Sequence, residues 1–218
     1  MNALRFTSSL RRCAAGLLLA LAGGCSALLP KPASTPPPAH YSLDGAPPAT
    51  PAARMGPSTR SAAAPTLLID LPRAAAGFDS RRIVYTREAH RLEAFAHSEW
   101  VDTPARMLAP LIVAAIESNG AFRAAVPVHA GAAGDLRLDT EILRLQQEFG
   151  AVPSHVRFTL RATLVDLATR RVLAWRQFDD TAAAASEDPQ GGVMAANRAV
   201  RTVLEQLAAF CAEGAANR

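Results

Sequence analysis

The first 65 residues of this 218-residue chain contain little that can fold, and that limits where a globular domain can lie. Three arginines, Arg5, Arg11 and Arg12, precede a short run from Cys13 to Ala22 that is rich in Leu and Ala. A basic start, a short apolar core and small residues after it form the layout of an export signal. The run is too short for a transmembrane anchor, which needs about 20 apolar residues. Residues 26–65 are dominated by Pro, Ala, Ser and Thr, with Pro36-Pro37-Pro38 and Pro47-Pro48 among them. Such a stretch buries too little apolar surface to offset its ordering entropy and favours extended polyproline II, so it reads as a semi-rigid tether. One island interrupts it. In His40-Tyr41-Ser42-Leu43 the apolar residues alternate, and Tyr41–Leu43 is expected to dock as an edge strand. The folded domain is expected over residues 66–213, with 214–218 a disordered tail. At roughly 150 residues per domain, that is one domain.

The export signal ends in Leu21-Ala22-Gly23-Gly24-Cys25. Small residues directly before a cysteine, in place of an Ala-x-Ala site, resemble the lipobox of a bacterial lipoprotein. The resemblance implies a signal peptide over residues 1–24, cleavage before Cys25, diacylglycerol on its thiol and acylation of the new amine. Each buried methylene contributes about 0.8 kcal/mol, so two or three chains hold a domain on a membrane durably. An ordinary secretory signal with an incidental cysteine is the alternative. Ser26 follows the cysteine. By analogy with enterobacterial sorting, a residue other than Asp there implies transfer to the outer membrane.

The charge balance of 23 Lys and Arg against 19 Asp and Glu loses three arginines and no acid with residues 1–24, leaving a net charge of about +1. The basic character belongs largely to the signal, and no Lys/Arg run in the remainder points to nucleic acid. The three cysteines are Cys13, Cys25 and Cys211. With the first removed and the second lipidated, Cys211 has no intramolecular disulfide partner. It is expected to pack as a small hydrophobe.

Periodicity locates the elements. Thr66 to Leu71 is a buried-strand pattern stopped by Pro72. Arg82 to Thr86 and Arg91 to Phe95 read as a hairpin turning at Glu88-Ala89-His90. A helix follows, with Asp102 or Thr103 as cap, Pro104 in its first turn and Asn119-Gly120 as stop. Pro110 inside it removes a backbone hydrogen bond and is expected to bend the helix or start a new segment. Phe122 to Val128 is a short strand. Asp135 to Phe149 is a long one whose apolar phase slips near Ile142-Leu143, the mark of a bulge. Val156, Phe158, Leu160, Ala162 and Leu164 form a clean period-2 series, wet on the opposite face. Val172 to Phe178 pairs back, and Asp179-Asp180 read as strand end and loop. A final helix from Pro189 to Cys211, capped by Asp188, buries Val193, Val200, Val203, Leu204, Leu207 and Cys211. The fold class is α/β in the α+β sense: a mixed, largely antiparallel sheet with two main helices packed on it.

Candidate chemistry is sparse. His90 and His97 are seven apart, an odd spacing that puts them on opposite faces of a strand, so no metal site is expected. Ser80 in Phe78-Asp79-Ser80-Arg81 lacks a Gly-x-Ser-x-Gly elbow. Gly191-Gly192 opens a helix without the Gly-Lys-Ser/Thr of a phosphate loop. No active site and no cofactor beyond the covalent lipid on Cys25 are expected. Arg81, Arg82 and Arg87 cluster near Tyr85, and the four are candidates for contact with an acidic partner or lipid head groups. A solvated strand edge is the plainer reading. Trp100 is expected in the core.

Phe78-Asp79-Ser80-Arg81-Arg82-Ile83-Val84-Tyr85, then Phe95-Ala96-His97-Ser98-Glu99-Trp100, then the helix with Pro104, Met107-Leu108 and Pro110-Leu111 together resemble the ABC-type transport auxiliary lipoproteins, the PqiC-like family. Ala195-Ala196-Asn197-Arg198-Ala199 adds to the resemblance, which spans about Tyr41 to Cys211. It implies a TolB N-terminal-like fold and a non-enzymatic role. It also implies a partnership with an MCE-domain protein and its ABC transporter in lipid transport, on the periplasmic face of the cell outer membrane. A homo-oligomer is possible beside a ring-like partner. Two other readings compete. One is a structural or assembly lipoprotein of the envelope, on the same anchor and tether. The other is a periplasmic hydrolase, resting only on Ser80 and the scattered histidines.

Overall fold

The computed structural model describes residues 37–44 and 63–217. Cys25 and the remainder of the tether lie outside the described residues. Nine strands and two long helices follow one another among those residues. They are β1 (Ala39–Tyr41), β2 (Thr66–Ile69), β3 (Arg73–Ala74), β4 (Arg82–Thr86), β5 (Glu93–Trp100), α1 (Pro104–Asn119), β6 (Ala124–Pro127), β7 (Leu136–Glu148), β8 (His155–Asp166), β9 (Val172–Ala183) and α2 (Pro189–Ala216).

β7 is the spine. One edge pairs antiparallel with β8 along its whole length, Leu136 opposite Asp166 and Glu148 opposite His155. The other edge is shared end to end by three short parallel partners: β2 at Leu136 to Leu138, β3 at Glu141 and Ile142, and β4 at Gln147 and Glu148. Beyond them β6 adds to β2, β5 to β4 and β1 to β5. β9 pairs antiparallel with β8. The sheet is therefore mixed, and its long ladders are the antiparallel ones.

Alternation decides the faces. Val156, Phe158, Leu160, Ala162 and Leu164 of β8 point into the core, beside Leu136, Leu138 and Ile142 of β7. The β7–β8 register shifts between Ile142 and Arg144, where the apolar phase slips in the sequence. α2 lies across this inner face, burying Val193, Val200, Val203, Leu204, Leu207 and Cys211. Phe210 of α2 meets Phe178 of β9 edge-on at 5.8 Å. α1 packs on α2 and β6 through Met107, Leu108, Ile112 and Ile116.

Four expectations change. Pro110 does not divide its helix, which runs unbroken from Pro104 to Asn119. Pro110 is on the solvent face, so the carbonyl it leaves unpaired one turn back is open to water. Asp179 and Asp180 are inside β9, which continues to Ala183. The strand tolerates them because Thr159 Oγ1 donates to Asp179 Oδ1 at 2.5 Å and Arg157 Nε lies 3.8 Å from its other oxygen. Asp180 is on the opposite side, where burial raises its pKa and a hydrogen bond from the Thr202 side chain opposes the shift. The disordered tail expected from residue 214 is helical to Ala216, because Gly214 is buried against Leu164 of β8. Finally, β5 reaches Trp100, well past Phe95.

The island in the tether is fastened at three points. β1 pairs parallel with β5, Tyr41 opposite Trp100. Leu43 is 6% exposed and sits in the core cluster. The Asn197 side chain accepts from Asp44 N at 2.8 Å and donates to the Ser42 carbonyl at 3.2 Å. A side-chain amide that both accepts and donates mimics one rung of a backbone ladder. Asn197→Ala should therefore cost about 1–2 kcal/mol and abolish hydrogen-exchange protection at Asp44. At the start of α2, a Cβ on Gly191 would lie 2.3 Å from the Ser186 carbonyl oxygen. That backbone atom cannot rotate aside, so Gly191→Ala should destabilise the fold by roughly 1–3 kcal/mol in denaturant titration.

Candidate functional site

Two of the four residues nominated for partner contact, Arg82 and Tyr85, lie in β4 and the other two, Arg81 and Arg87, flank it, and the two ends of the strand are built differently. At the first end Arg81 is exposed yet tied to its neighbours. Its Nε donates to the Trp100 carbonyl at 3.0 Å, and its Nη2 lies 3.7 Å from Glu99 and 3.2 Å from His40 Nδ1. The guanidinium thus joins β1, β4 and β5 at the point where the tether meets the sheet. Arg82, the first residue of β4, is exposed, and its side chain has no partner among the described residues.

At the other end Tyr85 is buried. Its hydroxyl donates to Glu93 Oε2 at 2.9 Å across the β4–β5 pair. That hydrogen bond raises the phenol pKa, and burial acts in the same direction. The ring packs on Phe95 at 4.5 Å and edge-on to Phe149 at 5.6 Å. Arg87 lies over both Tyr85 and Phe149, at 5.0 and 5.6 Å from their centroids. The structure therefore brings Arg87 and Tyr85 together and leaves Arg81 and Arg82 at the far end of the strand.

Arg87 also lines a polar cleft of about 310 Å³ with Glu88, His90, Arg144, Glu148 and His155. The cleft opens between the β4–β5 turn and the distal end of β7. His90 holds the left-handed turn position at φ 66°. Glu148 accepts from Gln146 Nε2 at 2.9 Å and contacts His155 Nε2 at 3.0 Å. Arg144 was invisible as a site residue in the sequence. Arg87 and His90, which share the cleft with it, come from a turn more than 50 positions earlier in the chain.

The remaining candidates do not converge. His90 lies in the turn and His97 in β5, and no group of three or more potential metal ligands forms among the described residues. Ser80 Oγ accepts from Arg82 N at 3.4 Å, a local turn contact. Gly191 and Gly192 are there for packing: a Cβ on Gly192 would lie 2.2 Å from Gln147 Oε1. Asp188 caps α2, and the backbone N–H of Gly191, with help from Ser186, holds its carboxyl below the usual range. Trp100 is buried, whereas Trp175 of β9 is 68% exposed. An apolar groove of about 190 Å³ lies between α1 and the ends of β2 and β6, lined by Ile69, Leu71, Pro110, Val113 and Pro127 among others. No helix among the described residues is long and apolar enough to cross a membrane.

Cys211 is fully buried, and burial pushes its thiol up to about 12. The thiolate is the nucleophile, so this side chain is inert while the fold persists. Iodoacetamide at pH 8 should leave Cys211 unmodified by peptide mass mapping in the folded protein and alkylate it in denaturant.

Comparison with known proteins agrees with this architecture. The chain superposes on a crystal structure of a protein from Xanthomonas campestris with a TM-score of 0.65 and 24% identity, over 69% of this chain and 85% of that one. It superposes on the crystal structure of an uncharacterized protein with a TM-score of 0.61 and 11% identity, over 80% and 99% of the two chains. These likenesses concern the fold. No curated protein sequence matches this chain. Residues 41–208 match the family described as the ABC-type transport auxiliary lipoprotein component, a match that begins inside β1 and ends in the last turns of α2, and this chain belongs to that family.

Proposed function

We propose that this chain is the periplasm-facing lipoprotein subunit of an ABC transport system that moves lipid through an MCE-domain partner. In this reading it is held in the outer membrane by acyl chains on Cys25, carries no other cofactor, and docks its partner without catalysing a reaction. The observation that carries the reading is the family match over residues 41–208. The family segment starts at Tyr41, which pairs with Trp100 in the sheet, so the matched unit includes the fastened piece of tether. From Cys25 to Ala39 the chain takes 14 Cα steps. Fully extended, that permits a reach of at most about 50 Å from the anchor. Of the four nominated contact residues, Arg82 keeps its charge available for an acidic partner, whereas Arg81 and Tyr85 are used by the fold.

An affinity pull-down from detergent-solubilised envelopes tests the reading, with the native chain compared against Cys25→Ser. Recovery of an MCE-domain protein with the native chain is the expected result. Retention by the variant would assign recognition to the folded domain, and its loss would make membrane anchoring a requirement. Absence of any transporter component from both would overturn the proposal in favour of a structural or assembly lipoprotein.

A further inference from the structure

The cleft at the β4–β5 turn has an imbalance in its wiring. Its acids are engaged. Glu148 has one oxygen on Gln146 and the other on His155, and Glu88 is matched by Arg91 at 3.5 Å. Its cations are not. Arg144 is half-buried at the β7 bulge and has no hydrogen bond or ion pair among the described residues. Its guanidinium, with five N–H donors and none paired among the described residues, is available to an acceptor that enters the cleft. Arg87 is held by the faces of Tyr85 and Phe149. Cation–π contacts of that kind hold the guanidinium in place and use none of its N–H donors. His90, also without a partner, is presented by the left-handed turn.

We infer that this cleft binds a phosphate group, with Arg144 and Arg87 as its principal ligands and His90 beside them. Two planar guanidinium forks match the oxygens of a phosphate better than those of any neutral ligand. At about 310 Å³ the cleft also has room for a glycerol-sized substituent. Such a phosphate has two sources, a free phosphate ester in solution and a lipid head group. The inference concerns the folded domain alone and does not depend on the transport partner.

The test is calorimetric titration of the full chain in neutral detergent. The probes are glycerol 3-phosphate and monomeric dihexanoylphosphatidylglycerol, with hydrogen exchange locating the response. Saturable binding with protection gained at residues 86–90 and 144–148 is expected. Arg144→Gln should weaken it about tenfold, the loss of one charge-assisted fork. Arg161→Gln, a charge change on the sheet face outside the cleft, should leave it unchanged. Tighter binding of the lipid than of glycerol 3-phosphate would identify a head group as the source, and equal or weaker binding a free phosphate ester. Matching melting temperatures for the two variants separate lost binding from lost folding. The inference is overturned by no saturable binding of either probe, by protection elsewhere, or by an Arg144→Gln variant of native melting temperature that binds as the native chain does.

Discussion

The twelve-pair ladder between β7 and β8 is the interaction on which the remaining structure depends. β7 is long enough to serve three short strands on its free edge, and none of β2, β3 or β4 has more than four residues of contact with it. Strands so short are marginal by themselves. They become stable because a continuous template already exposes its N–H and C=O groups in register. The same template sets the core. Antiparallel pairing with β8 aligns Leu136, Leu138 and Ile142 beside Leu160, Ala162 and Leu164, so one face is largely apolar, with Thr140 buried among these residues, and accepts α2. The bulge between Ile142 and Arg144 rephases β7 without breaking the ladder. Beyond it Leu145 still faces the core, and Arg144 is placed at the cleft wall.

α2 closes the fold by close approach rather than by bulk. Its first turn carries two glycines pressed against Ser186 and Gln147, and its last carries a third against Leu164. Backbone contact at both ends lets Val200, Val203, Leu204 and Leu207 between them reach full or nearly full burial. Asn197 on the same helix then ties Ser42 and Asp44. A residue in the middle of the closing helix thus holds a segment more than 150 positions earlier, which makes the tether's end part of the cooperative unit rather than a loose arm.

Much of this was legible before the structure. The period-2 series of β8, the phase slip in β7, the Pro104 and Gly120 ends of α1 and the buried stripe of α2 are local patterns, and local patterns survive folding when one face is buried. What failed was also local, for physical reasons. A proline did not divide its helix because it faces solvent, two aspartates stayed in a strand because Thr159 and Arg157 engage Asp179 and Thr202 engages Asp180 on the other side, and a tail stayed helical because a glycine allowed contact with Leu164. The candidate site was the least legible part. Arg81, Arg82 and Arg87 are neighbours in the chain, but a strand places residues five or six apart at opposite ends of a path about 17–20 Å long. Proximity in sequence therefore grouped residues that the fold separates. The groups that do share a cleft come from two distant stretches of chain, Arg87 and His90 from the β4–β5 turn and Arg144 from β7.

This separation along β4 has a mechanical consequence. The tether joins the sheet where Arg81 binds Trp100 and His40, and the cleft opens where Arg87 lies on Tyr85. No residue is shared between the two. A ligand in the cleft would leave the β1–β5 ladder, Leu43 and the Asn197 clamp in place, so occupancy of the cleft and the fastening of residues 39–44 are separate. What joins them is the β4–β5 pair itself, and there Ile83 and Val84 are buried in the core. Any coupling between the ends must pass through that rigid, packed segment as a change of stability rather than as a movement of the tether.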